Sequence, residues 1–197
     1  DTTSWTCNDG SDRFIVTVEE YNEQLFKEKE APVEVTKMLH YKHLDNNRGI
    51  LGQDVEFEKD TTYTLTFSYS MAKGEFAKSS GMHVKILENK LTDSLSSVAT
   101  GYLYSSEKAA GHSKGFTTVD VEGDGQKGKA TYTFTWTKDS KTGSMCFHVP
   151  ENEGAEFYLA DVQLYKSTDA EKANILASVD KTGTLNGWLH PKAYPAK

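Results

Sequence analysis

Two tyrosines that flank a single leucine, Tyr102 and Tyr104 around Leu103, have the residue types and the spacing of a ligand-binding surface. Successive side chains of an extended segment point to opposite faces, so a buried Leu103 would leave both tyrosines on the outer face. Flat aromatic rings can stack on the C–H faces of a pyranose, while polar neighbours bond to its hydroxyls. The pattern therefore indicates either a stacking surface or two rings that fill a crevice under the loop at residues 105–116.

The other reactive side chains form no recognisable catalytic or metal-binding set. Glycoside hydrolysis needs two carboxylates that face each other across a cleft at a fixed separation. Glu56 and Glu58 share one strand face, but they lie beside a polar turn. No serine, histidine and aspartate are arranged in a way that suggests a catalytic triad. His40 and His43 have no carboxylate or cysteine spaced to complete a metal shell. We therefore expect a protein that is not an enzyme.

The composition excludes further classes of function. The chain carries a formal charge of −7, and its basic residues are dispersed, which argues against a nucleic-acid partner. No apolar run reaches the roughly 18 residues that a membrane helix needs, so no membrane association is expected. Cys7 and Cys146 are the two cysteines, and the sequence leaves open whether they form a disulfide or stay free thiols.

The rest of the chain is organised around GILGQDVEFEKDTTYTLTFSYS, from Gly49 to Ser70. Its second half alternates apolar and polar residues with a period of two, which predicts a half-buried strand after a turn at residues 58–60. The alternation recurs at residues 131–136, which predicts a core position for Trp136, and at 145–149, which predicts Cys146 and His148 on the outer face. About eight to ten such segments without a βαβ rhythm predict an all-β sandwich.

Three stretches, GILGQDVEFEKDTTYTLTFSYS, ATYTFTWT and AEFYLADVQLY, together resemble carbohydrate-binding modules of the family 4, 9, 16 and 22 type. The likeness spans about residues 5–165 and implies a jelly-roll β-sandwich at residues 1–166. Residues 167–197 would then be a short, mostly irregular C-terminal extension. Within it, NILASVDKTGTLNGW at Asn174–Trp188 resembles the opening of such modules, so it could also start a following repeat or fold back and complete the sandwich.

The resemblance also implies a binding face and a structural calcium ion. It implies sugar contacts for His148 and stacking for Tyr41, with His43 nearby, in addition to Tyr102 and Tyr104. The calcium ligand would be Asp161, although this chain has Ala160-Asp161-Val162 where the family has two successive acids.

The resulting functional prediction is non-catalytic binding of a plant cell-wall polysaccharide, such as a β-glucan or xylan, by a groove lined with aromatic residues. The resemblance places such a module in a secreted, extracellular or cell-surface protein, tethered to an enzyme that it targets to its substrate. The alternative is a structural or adhesion sandwich that binds a protein partner. The two differ in whether the aromatic residues line one open groove or are buried and scattered.

Overall fold

The computed structural model describes residues 4–5, 14–26, 37–44, 49–73, 82–90, 96–103, 119–123, 127–149 and 156–168. These residues form eleven β-strands and one turn of 3-10 helix, Glu23–Leu25. The strands are β1 (Ser4–Trp5), β2 (Phe14–Glu20), β3 (Lys37–His43), β4 (Gly49–Glu56), β5 (Thr61–Lys73), β6 (Met82–Leu87), β7 (Ser97–Leu103), β8 (Val119–Gly123), β9 (Lys127–Trp136), β10 (Thr142–Val149) and β11 (Glu156–Lys166).

The strands form two antiparallel sheets. The larger sheet has the order β1-β2-β3-β11-β5-β9-β8, and the smaller has the order β4-β10-β6-β7. Strands from distant parts of the chain are neighbours in both, because β11 lies between β3 and β5, and β10 lies between β4 and β6. The arrangement confirms the predicted all-β sandwich, with the crossing connections of a jelly roll.

One hydrophobic core joins the two sheets. The alternating residues of β5 that were predicted to share a buried face are each at most 1% exposed: Tyr63, Leu65, Phe67 and Tyr69. Across the core, the ring of Phe67 meets that of Phe147 on β10 edge to face, with centroids 5.0 Å apart. Each such side chain contributes roughly 1.5–3 kcal/mol by leaving water, so the alternation fixes which face of each strand lies inward.

An aromatic cluster of Phe57, Tyr63, Phe134 and Trp136 closes one end of this core. Phe57 stacks on Trp136 at 4.6 Å and meets Tyr63 edge-on at 5.0 Å. Trp136 is fully buried, which confirms the prediction of a core residue. Its indole N–H donates to the backbone oxygen of Ser140 at 2.8 Å, so its one polar atom is satisfied.

The polar turn beside this cluster is held by backbone hydrogen bonds. The Asp60 N–H donates to the Trp136 carbonyl at 2.8 Å, and the Glu58 N–H donates to the Tyr63 hydroxyl at 2.7 Å. Asp60 has a φ of 58°, in the left-handed region that Asp adopts more readily than most residues. The predicted turn at residues 58–60 is therefore confirmed.

A second, smaller apolar cluster lies on the outer face of the larger sheet. Phe26 follows the 3-10 helix and packs with Met38 of β3 and Ala160 of β11. Tyr21 stacks on Phe26 with ring centroids 5.2 Å apart. β2 continues to Glu20, and the helical turn that follows at Glu23–Leu25 brings Tyr21 and Phe26 against the sheet.

Some boundaries differ from the predicted ones. Residues 119–123, which were not assigned to a strand, form β8 on β9, and β7 begins at Ser97, five residues before Tyr102. Cys146 alternates with the core residues Met145 and Phe147 as predicted, but its side chain is not exposed: it is a fully buried free thiol that packs with Leu87. Tyr104, Cys7 and the extension from residue 169 lie outside the described residues, so the domain boundary stays a prediction.

Candidate functional site

The register of the smaller sheet brings two of the predicted site residues into one row. On β10, His148 lies directly opposite Ile50 of β4 on one side and His83 of β6 on the other. His83 in turn lies opposite Tyr102 of β7. Neighbouring strands are about 4.8 Å apart, so the positions of His148 and Tyr102 are separated by about 10 Å across the sheet. We call Ile50, His148, His83 and Tyr102 the histidine row.

His83 was not among the predicted site residues. In the sequence it alternates with Val84 and Ile86, both of which are fully buried in the core. Its position between His148 and Tyr102 follows only from the pairing of β6 with β10 and β7. The sequence therefore showed only a histidine that alternates with apolar residues in a predicted strand. It did not show the register that puts His83 between His148 and Tyr102.

The next row of the same sheet is closely packed. Gly52, Cys146, Lys85 and Thr100 lie opposite one another in that order. A Cβ atom on Gly52 would come within 2.3 Å of the Met145 carbonyl oxygen and 2.6 Å of the Cys146 Cβ, so this position requires glycine. Burial raises the pKa of the Cys146 thiol to about 12, so at neutral pH it stays a protonated, unreactive group.

Tyr41, which was predicted to stack on a sugar, lies instead in the core. It is fully buried, and its ring stacks on Phe157 of β11 with centroids 4.4 Å apart. The strand that carries Tyr41 and His43, β3, belongs to the larger sheet. The structure therefore does not bring these two residues to the histidine row, and the buried ring of Tyr41 offers no face for stacking.

Asp161, the predicted calcium ligand, lies at a bulge of β11. The pairing of β11 with β5 shifts register between Ala160 and Gln163, and Asp161 has a φ of 50°. The Gln163 side-chain amide donates to the Asp161 carboxylate at 2.5 Å. Over the described ranges, histidines, cysteines and acids form no group of three or more that could hold a metal ion. A calcium site here would need backbone or amide oxygens beside the one carboxylate.

A polar cluster on the outer face of the larger sheet was missed by the sequence analysis. The two ring nitrogens of His40 contact the carboxylates of Glu19 on β2, at 2.6 Å, and Glu156 on β11. The imidazole also stacks on Tyr158 with centroids 4.4 Å apart. Burial, helped by the charges of Glu19 and Glu156, raises the pKa of the Tyr158 hydroxyl. These carboxylates are far from His40 in sequence, so no local spacing reveals them.

The carboxylates that raised the possibility of hydrolysis are solvated. Glu56 and Glu58 are both exposed, and Glu58 accepts a hydrogen bond from Lys166 at 2.7 Å. The Lys166 ammonium lowers the pKa of Glu58. A general acid in glycoside hydrolysis needs the opposite shift, a raised pKa that keeps its proton at neutral pH. This pair is therefore unsuited to that chemistry.

Within the described ranges, no helix has the length and apolar character needed to cross a bilayer. Comparison with known proteins gave matches only among solved structures: no family model matches the chain, and no curated protein does. Seven solved chains match. One of them, described as "CBM4 structure and function", is 14% identical with a TM-score of 0.46, and the match covers 78% of this chain and 87% of that one.

Proposed function

We propose that this chain is a non-catalytic module that binds a β-linked plant cell-wall polysaccharide, such as a β-glucan or xylan, at the end of its smaller sheet that carries the histidine row. The observation that carries the proposal is the histidine row. In the register of the smaller sheet, His148 and Tyr102 lie in one row with His83 between them. The motifs that resemble family 4, 9, 16 and 22 modules support the same function. The smaller sheet is thus the proposed binding face.

Binding in this proposal combines stacking with hydrogen bonds. Tyr102 and Tyr104 would supply aromatic faces, and His148 would exchange hydrogen bonds with sugar hydroxyls. A glycan chain loses conformational freedom and hydration when it docks, so affinity at one site is expected to be modest. Tethering to a secreted enzyme would raise the effective concentration of its substrate, which is the proposed biological role.

The experiment is affinity electrophoresis in gels that contain one neutral polymer each: β-glucan, xylan, xyloglucan or mannan. The variant Tyr102→Ala removes an aromatic ring from the proposed face. Tyr165→Ala is the matched control, since Tyr165 is a half-buried tyrosine of β11 in the other sheet. Circular dichroism melts of both variants show whether each remains folded.

We expect at least one polymer to retard the wild-type protein and the Tyr165 variant, and Tyr102→Ala to abolish the retardation. Retardation that survives in Tyr102→Ala but is lost in Tyr165→Ala would move binding to the larger sheet. If none of these polymers retards the wild-type protein, the proposal is wrong. A structural or adhesion domain with a protein partner then becomes the better explanation.

A further inference from the structure

The polar cluster on the outer face of the larger sheet joins three strands through one imidazole. Nδ1 of His40 on β3 lies 2.6 Å from Oε1 of Glu19 on β2, and Nε2 contacts Oε1 of Glu156 on β11. The His40 side chain is 19% exposed, and those of Glu19 and Glu156 are 40% and 23% exposed. We call these three residues the His40 bridge. It is partly shielded from water, which strengthens its charged contacts, and still open enough to exchange protons with solvent.

Neighbouring side chains hold the His40 bridge in place. The Thr17 hydroxyl donates to Glu19 Oε1 at 3.0 Å, which fixes that carboxylate on its own strand. Tyr158 is the register partner of His40 on β11, and its ring stacks on the imidazole with centroids 4.4 Å apart. The imidazole is therefore constrained on a ring face and at both nitrogens.

Both nitrogens of His40 bond to ionised carboxylates only when both carry a proton. A neutral imidazole has one N–H donor and one acceptor lone pair, whereas an imidazolium has two donors. An ionised carboxylate accepts hydrogen bonds and cannot donate one, so loss of the proton sets a lone pair against a carboxylate oxygen. The contact to either Glu19 or Glu156 then loses its charge-assisted hydrogen bond.

The other titratable groups on the elements packed against the bridge ordinarily keep their charge between about pH 5.5 and pH 8, because glutamate titrates near pH 4.3 and lysine near pH 10.4. Beside Glu19 and Glu156, the flanking positions are Glu20, Tyr21, Lys37, Lys42, Lys73 and Tyr158. Burial raises the pKa of both tyrosine hydroxyls above the usual value, so they stay neutral. Histidine is the residue type whose ordinary titration lies in this range.

We infer that the His40 bridge is a pH-sensitive connection that holds β2 to β3 and β3 to β11 in mild acid and loosens this side of the larger sheet as the pH rises. The connection is complete where the imidazole is charged and both carboxylates are ionised. It weakens above that window as His40 loses its proton, and below it as Glu19 and Glu156 gain theirs. Among the described strands, β2 has only the two-residue β1 beyond it, so this side of the sheet has little other support.

The test is amide hydrogen exchange followed by mass spectrometry at about pH 5.5 and about pH 8, with each rate corrected for the exchange rate of an unstructured peptide at the same pH. The variants are His40→Gln, Glu19→Gln and Glu156→Gln. Lys37→Gln is the matched control, because Lys37 pairs with Glu20 across the same two strands and its charge is ordinarily constant over this range. Circular dichroism shows whether each variant is folded at both pH values. Peptides from β8 and β9, at the far side of the same sheet, are the internal reference.

We expect protection of β2 and β3 in the wild type to be about tenfold higher at the lower pH, as for the loss of one hydrogen bond to a charged group. His40→Gln should remove this pH dependence, and Glu19→Gln and Glu156→Gln should each reduce it. Lys37→Gln should lower protection by the same factor at both pH values. Protection of β8 and β9 should not differ among the variants.

Equal protection of β2 and β3 at both pH values in the wild type would overturn the inference. A pH dependence that persists in His40→Gln would also overturn it, because another group would then be titrating. Nitrogen-15 NMR of the imidazole, assigned by the signals that His40→Gln lacks, gives a second readout: two protonated nitrogens at the lower pH support the bridge, and one protonated nitrogen contradicts it. Neither measurement requires a glycan, so both outcomes are independent of the proposed function.

Discussion

Gly143 offers a sharp test of how tightly the aromatic end of the core is packed. A Cβ atom at this position would lie 2.7 Å from Phe57 Cδ2 and 2.7 Å from Trp136 Cη2, well inside van der Waals contact. Both rings are fully buried and stacked on each other, so neither has free space to move into. Overpacking of a core costs about 1–3 kcal/mol. Loss of glycine flexibility in the unfolded chain offsets up to about 1 kcal/mol of this cost.

We therefore predict that Gly143→Ala lowers the free energy of unfolding by about 1–2 kcal/mol, and the melting temperature by roughly 2–8 °C for a chain of this size. Urea titration followed by tryptophan fluorescence measures the free energy. Thr142→Ala is the matched control, because Thr142 is the exposed neighbour on the same strand and should change stability by less than about 0.5 kcal/mol.

A double-mutant cycle tests the assigned cause. Phe57→Leu removes ring atoms that the new methyl group would strike, so it should cost less stability in the Gly143→Ala background than in the wild type. If the two changes are simply additive, the collision with Phe57 is not the source of the destabilisation. Wild-type stability for Gly143→Ala would refute the packing argument altogether.

Three further predictions concern titratable and metal-binding groups. Because burial raises the pKa of Cys146 to about 12, Ellman's reagent at pH 8 should leave its thiol unmodified in the folded Cys7→Ser variant and modify it in urea. Rapid modification of this variant when folded would show that Cys146 is accessible. Lys166 lowers the pKa of Glu58 in the folded protein. The ion pair therefore stabilises the fold above pH 4.5, the ordinary pKa of this carboxyl group, and this stabilisation is lost as the pH falls through the lowered pKa. Glu58→Gln should therefore flatten the decline in melting temperature with acid, and an unchanged decline would contradict this. If calcium binds at Asp161, EDTA should lower the melting temperature of the wild type but not of Asp161→Asn, and equal effects on both would place any calcium elsewhere.

The fold was predictable because its strands alternate. Tyr63, Leu65, Phe67 and Tyr69 show a period of two without interruption, and burial of one face is the only arrangement that hides all four. The turn at residues 58–60 is similarly local, since its composition and its hydrogen bonds involve near neighbours in the chain. Features that depend on a few adjacent residues were therefore recovered from the sequence.

The parts of the site that depend on pairing between distant strands were not recovered. Tyr41 was expected on an open face, but its burial follows from the pairing of β3 with β11, which carries its stacking partner Phe157. His83 becomes central only through the register of β6 with β10 and β7. Cys146 follows the predicted alternation, yet its outer-face position is covered. Alternation gives the face of a residue within its strand and not what lies over that face.

The central positions of β10 and β11 have a consequence for how the chain folds. Neither sheet is continuous until the C-terminal strands have been synthesised. β11 is the strand that connects β3 to β5, and β10 is the strand that connects β4 to β6. Ordering these long-range contacts requires closing long loops before any compensating burial, which is typical of slow-folding β-proteins. We expect a ribosome-bound or truncated chain that ends before residue 142 to expose four strand edges that are paired in the complete fold, one each of β3, β4, β5 and β6. Such a species would be prone to aggregation and proteolysis.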